Sequence, residues 1–301
     1  MKRIIESIKK NPAPFILLIL IALTGIYLRS YHADYPVIGY HNWKETHYLT
    51  EARNFAEGGF FEHGFFVPER DYPKLDAAPS GVHEDTFPTT SILTALLFKI
   101  SGPSLTAARA LMVLFSAASI FAMYFFVKQL FKREDIALVS AALMAINPLF
   151  VFFGRNVQLI GPALFFMLSG GYFYLKWRDS KERNDFIFAA TFIALAGLTK
   201  YTFLAILLPI ILTFEYKKDL KRILKKAYWP AYAVFLSLPL WFVYSSLIGE
   251  KAGQKLPLLN QLGLSSMSSV SWWTSMKSFT LDNYSLLGLL FALLGLLLVG
   301  Y

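Results

Sequence analysis

The chain has 301 residues, of which 55% are hydrophobic and 16% are charged. Soluble domains carry about 25% charged residues, so this composition excludes an ordinary soluble protein and favours one that spans a membrane. The formal net charge is +9 and there are no cysteines, which excludes disulfide and thiolate chemistry.

Apolar runs of roughly 18 or more residues are long enough to cross a bilayer as helices. The first run follows a basic start and precedes Arg29 rather than a small-residue cleavage pattern, which predicts an uncleaved first span. We predict an all-α integral membrane protein, a polytopic helical bundle of about eight spans. The predicted spans are 12–30, 106–128, 136–154, 157–176, 186–200, 201–216, 228–247 and 284–301.

Two further features are a short apolar segment and the way the last span ends. Residues 88–100 are apolar but too short for an ordinary span, so we predict a helix lying at the membrane interface. The last span ends at Tyr301 without a charged flank, which is typical of a chain that continues.

The basic residues indicate the orientation. With the N-terminus in the cytoplasm, the four predicted cytoplasmic segments hold 17 of the 29 lysines and arginines but 8 of the 20 acids. Such an excess is expected on the cytoplasmic side of a membrane, so the positive charge does not indicate nucleic-acid binding. The four segments are 1–11, 128–135, 176–185 and 215–227.

Two large extracytoplasmic loops remain, residues 31–87 and 248–283, within a single transmembrane module. The second contains Trp272 and Trp273, which we expect to anchor at the interface. The first contains all five histidines and ten of the twenty acids. Such a polar loop between apolar spans is the natural place for acid–base or metal chemistry, although a solvated loop without a site has the same composition.

Residues 41–55 of the first loop read as a helix. Tyr48, Ala52 and Phe55 recur at helical spacing and predict an apolar face. A helix of this kind can lie along the membrane surface and hold the carboxylate of Glu45 over a pocket. Arg109, near the outer start of the second span, is expected to pair with an acid of this loop.

The motif Glu45-Thr46-His47-Tyr48, followed by Ala52-Arg53, resembles the first-loop motif of membrane glycosyltransferases with the C-type fold. Protein O-mannosyltransferases and lipid A aminoarabinose transferases share it. The segment from His83 to Pro88 resembles their second juxtamembrane segment, and Leu198-Thr199-Lys200-Tyr201 resembles one of their outer turns. The resemblance covers residues 12–247.

The sequence departs from the family pattern at two places. The family's Asp-Glu pair is Lys44-Glu45 here, and a register anchored on Trp43 aligns the acid of related transferases with His47. An outer turn that often reads Arg-x-x-Gln-Pro-Glu in relatives runs from Arg155 to Ile160 without the glutamate. Both departures bear on which group is the base.

The resemblance implies inverting transfer of a sugar from a polyprenyl-phosphate donor to an acceptor hydroxyl on a protein, lipid or glycan, at the extracytoplasmic face. Glu45 is then the catalytic base, while Arg155, Lys200 and Tyr201 bind the donor phosphate. Two histidines, His41 and His83, are candidate ligands of a divalent metal. The remaining predicted pocket residues are His47, Tyr48, Arg53, Glu84 and Asp85.

Two other functions stay open. A transporter or lipid-sugar flippase needs charges or broken helices near mid-membrane. The span interiors are almost free of charge, but Pro148 and Gly161-Pro162 can break helices. A non-catalytic membrane scaffold fits the missing second acid. For Glu45 and Arg155 the alternatives are a surface ion pair and a contact with lipid headgroups.

Overall fold

The computed structural model describes residues 11–39, 42–71, 86–251 and 269–299. The chain forms two compact units, residues 1–252 and 253–301. The first unit contains α1 (Ala13–Ser30), α2 (Asn42–Gly58), α3 (Thr89–Ser101), α4 (Leu105–Phe131), α5 (Glu134–Ile146), α6 (Pro148–Arg155), α7 (Ile160–Ser180), α8 (Arg183–Thr199), a 3-10 helix (Tyr201–Ile206), α9 (Leu207–Thr213), α10 (Tyr216–Ile223), a 3-10 turn (Lys226–Tyr228) and α11 (Trp229–Lys251). The second contains α12 (Val270–Val299).

Helices occupy the positions of all eight predicted spans, which confirms a helical membrane protein. Among the described residues, three helices are long and apolar enough to cross a membrane: α1, α4 and the helical stretch Lys226–Ile248. The bent pair α5–α6 makes a fourth if it counts as one span. The number of crossings therefore stays a prediction.

The first three membrane helices of unit 1 pack through one apolar core. Leu18 of α1 is fully buried against Ile120 of α4 and Ala141 of α5. Small side chains on α5 let the helices approach closely. This core lies along α1 and stabilises the part of the bundle that carries the first loop.

Helix α5 ends at Ile146, and Pro148 begins a new helix, α6, whose axis is bent by 62° from that of α5. Asn147 caps α6, accepting a hydrogen bond from the Phe150 N–H at 2.9 Å. Arg29 is fully buried and donates to the carbonyl of Ala145 at 2.8 Å. The predicted span over 136–154 therefore consists of two helices, since a proline inside a helix removes a backbone hydrogen bond. That the pair makes a single crossing stays a prediction.

The two predicted interfacial helices are confirmed as helices. α2 covers the residues expected from the spacing of Tyr48, Ala52 and Phe55, and α3 covers the short apolar segment. Ala52 and Phe55 are buried in a core with Phe98 of α3 and Met112 of α4. The amphipathic pattern of α2 therefore packs it onto α3 and α4.

Ion pairs join three of the four segments that were predicted to be cytoplasmic. Lys132 pairs with Asp179, and Lys181 lies 2.7 Å from the buried carboxylate of Asp219. These contacts connect the α4–α5 turn, the α7–α8 turn and α10. The three basic segments therefore lie on one side of the bundle.

In the second unit, α12 begins at Val270, inside the predicted second loop. The rings of Trp272 and Trp273 lie 4.7 Å apart, edge to face, and Trp273 is exposed. An exposed tryptophan at a helix start suits the predicted interfacial anchor, which stays a prediction.

Candidate active site

Glu45 on α2 forms the centre of a buried ionic clamp. Arg109 of α4 donates from Nε to Glu45 Oε1 at 2.9 Å and from Nη2 to Oε2 at 2.7 Å. The backbone N–H of Val157 donates to the same Oε1 at 3.0 Å. The side chains of Glu45 and Arg109 are 4% and 6% exposed, so this pair is desolvated as well as bidentate. The expected pairing of Arg109 with a first-loop acid is confirmed.

Arg109 also fixes the chain that leaves α1. Its Nη1 donates to the carbonyl oxygens of Ala33 at 3.0 Å and Tyr35 at 2.5 Å. One guanidinium thus holds the α1–α2 connection, α2 and, through Glu45, the turn after α6. Breaking such a pair from one side leaves a buried charge without its partner, so the clamp sets the position of α2.

A second buried carboxylate on α2 is Glu51, whose side chain is fully buried. Its Oε1 lies 2.8 Å from Nε2 of His47, and its Oε2 accepts from the hydroxyl of Ser91 on α3 at 2.5 Å. The His47 side chain is 17% exposed. Residues 47 and 51 are one helical turn apart, and this i,i+4 spacing is the sequence signal for such a pair.

The outer turn around Arg155 is joined to the first loop. Arg155 is half-buried and donates from Nη1 to the carbonyl of Tyr31 at 2.8 Å. It also lies over the ring of Phe152, 5.9 Å from its centroid. Val157, two residues on, is the Glu45 donor. The structure therefore brings the Arg155 turn and the Glu45 carboxylate together.

The turn of Lys200 and Tyr201 is joined to α3. The N–H of Phe87 donates to the carbonyl of Leu198 at 3.1 Å, and the hydroxyl of Thr199 donates to that of Thr89 at 3.0 Å. Lys200 and Tyr201 are half-buried. Both predicted phosphate-binding turns thus contact elements that pack directly on α2.

The other predicted pocket residues lie on different faces of α2. Tyr48 is half-buried beside the core of Ala52 and Phe55. Arg53 pairs with Glu57 at 3.0 Å, and both side chains are more than 40% exposed. The predicted residues Glu84, Asp85, His41 and His83 lie outside the described residues.

Two clefts border these elements. A cleft of about 370 Å³ is almost entirely apolar, and it is lined by Phe65, Phe87, Leu198, Ser237, Leu240, Trp241 and Tyr244. A second cleft of about 350 Å³ is more polar, and it is lined by Val37, Thr46, Leu49, Thr50, Arg53, Phe98, Pro103, Ser104 and Leu105. The apolar cleft includes Leu198, two residues before Lys200.

The described residues contain no group of three or more histidine, aspartate or glutamate side chains placed to hold a metal ion. Since His41 and His83 are not among them, the predicted metal stays a prediction. Sequence reasoning did not identify Arg29 or Ser91, because their partners are distant along the chain.

Residues 85–246 match the model of the dolichyl-phosphate-mannose-protein mannosyltransferase family. The match covers more than half of the chain and runs from the segment before α3 into α11. The chain belongs to this mannosyltransferase family. The predicted membrane glycosyltransferase is thereby confirmed at family level, and the match includes Arg155, Lys200 and Tyr201 but not α2. No individual curated protein matched the sequence.

Proposed function

We propose that the protein transfers a sugar from a polyprenyl-phosphate donor to an acceptor hydroxyl, with inversion, at the extracytoplasmic face of a membrane. One observation carries this proposal beyond the family: the Arg109–Glu45–Val157 clamp holds the first-loop helix against the turn of Arg155. A polar loop helix and a cationic turn are thereby close to each other. Transfer from a lipid phosphate requires both a proton acceptor and a cation for the leaving group.

The donor's polyprenyl tail enters the apolar cleft lined by Phe87, Leu240 and Trp241. Lipid chains bind by burying apolar surface, and this cleft offers nearly no polar contact. Its border includes the residues that precede Lys200, so a tail in the cleft leaves the phosphate near that turn. Lys200 and Tyr201 then bind the phosphate, as predicted.

Arg155 is the second proposed phosphate ligand. Its present acceptor at Tyr31 is a neutral carbonyl, and a phosphate oxygen is a stronger acceptor for guanidinium. When a phosphate oxygen replaces the carbonyl of Tyr31, Arg155 gives up one hydrogen bond. Arg155 would then stabilise the charge that develops as the bond from the anomeric carbon to the phosphate oxygen breaks.

The base belongs to α2. Glu45 was predicted for this role, which stays a prediction. Its carboxylate would have to release Arg109 and the N–H of Val157 before it could accept a proton. Glu45 also holds α2 in place, so loss of activity in Glu45→Gln does not by itself identify the base. A non-catalytic scaffold has support from the same saturated clamp.

The test uses the full chain, purified in detergent, and a panel of radiolabelled polyprenyl-phosphate sugars that begins with the mannosyl donor named by the family. Loss of label from the lipid is followed with a serine- and threonine-rich peptide as acceptor. We expect one donor to be consumed and Arg155→Ala to raise the donor KM. Parallel reactions with a chelator show whether the transfer requires a divalent metal.

Two results contradict the proposal. Binding of a sugar lipid without turnover favours a scaffold. Movement of the intact sugar lipid between the leaflets of a vesicle, without loss of the sugar, favours the flippase.

A further inference from the structure

We infer that His47 is the base that accepts the proton of the acceptor hydroxyl, and that Glu51 positions it. This inference rests on the proposed transfer and names the group that starts it. It also changes the role of Glu45 from base to anchor. Two carboxylates, Glu45 and Glu51, and the imidazole of His47 lie within two turns of α2.

The three side chains differ in how far they are exposed to solvent. The side chain of Glu51 is fully buried and that of Glu45 is 4% exposed, whereas that of His47 is 17% exposed. A general base must come within hydrogen-bond distance of the proton that it removes. Of the three, His47 is the group that a substrate hydroxyl reaches with the least rearrangement.

The hydrogen bonds lead to the same assignment. Both oxygens of Glu45 accept from Arg109, and one also accepts from the N–H of Val157. The oxygen atoms of Glu45 would have to give up these hydrogen bonds before they could accept a proton from a substrate. Proton transfer to Glu45 would also break the contact that holds α2 on α4.

Glu51 has the geometry of an orienting carboxylate. It lies 2.8 Å from Nε2 of His47, while the hydroxyl of Ser91 holds its other oxygen at 2.5 Å. A buried carboxylate beside one imidazole nitrogen fixes the ring and its tautomer, and it stabilises the imidazolium that forms when the ring gains a proton. Ser91 in turn fixes Glu51 to α3.

This unit is connected to the proposed phosphate site. Ser91 lies two residues after Thr89, whose hydroxyl accepts from Thr199, the residue before Lys200. The base and the phosphate cation are thus set by one short helix, α3. A rigid connection of this kind keeps the attacking and leaving oxygens at a fixed separation.

The proposed transfer is a single displacement at the anomeric carbon of the donor sugar. The acceptor O–H gives its proton to His47 while its oxygen forms a bond to the anomeric carbon. The bond from that carbon to the phosphate oxygen breaks, and the phosphate leaves with the electron pair. The proton on His47 passes to water after the products separate.

The test compares His47→Ala with a matched control, His63→Ala. His63 also pairs with a buried glutamate, Glu69, at 3.1 Å in the same loop. With radiolabelled polyprenyl-phosphate mannose and the peptide acceptor, His47→Ala is expected to lower kcat about 10²- to 10⁴-fold, the usual contribution of a general base. The donor KM should change little, and His63→Ala should retain most of the activity.

Chemical rescue distinguishes a base from a structural residue. Imidazole added to His47→Ala should restore part of kcat, whereas it should not affect His47→Gln, in which the side chain fills the space. Glu51→Gln should lower kcat at an unchanged donor KM and should not respond to imidazole. Melting temperatures of all variants show whether each is folded.

The outcomes separate this inference from the function on which it rests. If the wild type consumes none of the sugar lipids, the proposed function fails and the base assignment fails with it. If the wild type is active and His47→Ala matches His63→Ala, only the base assignment is overturned. Loss of activity in His47→Ala without rescue, together with weaker donor binding, shows a structural role and also overturns it.

Discussion

The buried ion pair of Glu45 and Arg109 determines the position of α2. Their side chains are 4% and 6% exposed, and Arg109 also binds two carbonyls of the chain after α1. Removal of one partner from a buried pair leaves an uncompensated charge. The position of α2, and of His47 on it, therefore depends on a contact between residues 64 positions apart.

We predict that Arg109→Met lowers the free energy of unfolding by about 3–5 kcal/mol. The double variant Arg109→Met with Glu45→Leu should recover part of that loss, because no charge is then left buried. Thermal unfolding in detergent measures both changes. Recovery should be incomplete, since the carbonyls of Ala33 and Tyr35 still lose their donor.

The matched control is the exposed pair of Arg53 and Glu57 on the same helix. Both side chains are more than 40% exposed, so Arg53→Met should cost no more than about 1 kcal/mol. Equal losses in Arg53→Met and Arg109→Met would contradict the central role of the buried clamp.

At the scale of elements, sequence patterns identified helices better than their ends and partners. The spacing of Tyr48, Ala52 and Phe55 was enough to predict α2, because an apolar stripe must face a core. Pro148 was noted as a residue that can break a helix, but the 62° angle of the bend was not predicted. A hydropathy profile shows where an apolar run begins and ends. One proline changes the mean hydropathy of that run little, although it redirects the helix.

The bend places Gly154 against two buried side chains. A Cβ at this position would lie 2.5 Å from Ser116 Oγ and 2.9 Å from Arg29 Nε. Ser116 itself donates to the Gly154 carbonyl at 2.6 Å. The close approach of α6 to α1 and α4 therefore requires a residue without a side chain, one position before Arg155.

We predict that Gly154→Ala destabilises the protein by about 1–3 kcal/mol, the usual cost of overpacking, and weakens donor binding through the displaced Arg155. Gly161→Ala is the control, because a Cβ there would have no neighbour closer than 4.0 Å. Its helix should gain up to about 1 kcal/mol. Unfolding midpoints and the donor KM of both variants measure the effects, and a stable Gly154→Ala variant with normal KM would contradict the prediction.

At the scale of the molecule, opposite ends of the bundle carry different chemistry. Lys132, Lys181 and their partners join the basic turns where α4 ends, while Arg109 pairs with Glu45 near the start of α4, at the opposite end of that helix. Counting basic residues predicted this separation, because charge clusters between spans are visible in sequence. The pairing of Glu45 with Val157 was not visible, since it depends on how distant turns pack.

The orientation can be tested directly because the chain contains no cysteine. Single replacements at exposed positions on α2 and α10, Glu57→Cys and Lys218→Cys, each supply one thiol. With the N-terminus in the cytoplasm, the positive-inside distribution places α10 inside and α2 outside. A membrane-impermeant maleimide added to intact cells should therefore label Glu57→Cys at once and Lys218→Cys only after permeabilisation. The cysteine-free wild type corrects for background.

Labelling of both variants in intact cells would place the two helices on the same side, so one span between them would have to be re-entrant. Labelling of Lys218→Cys alone would invert the topology and move the proposed transfer to the cytoplasmic face.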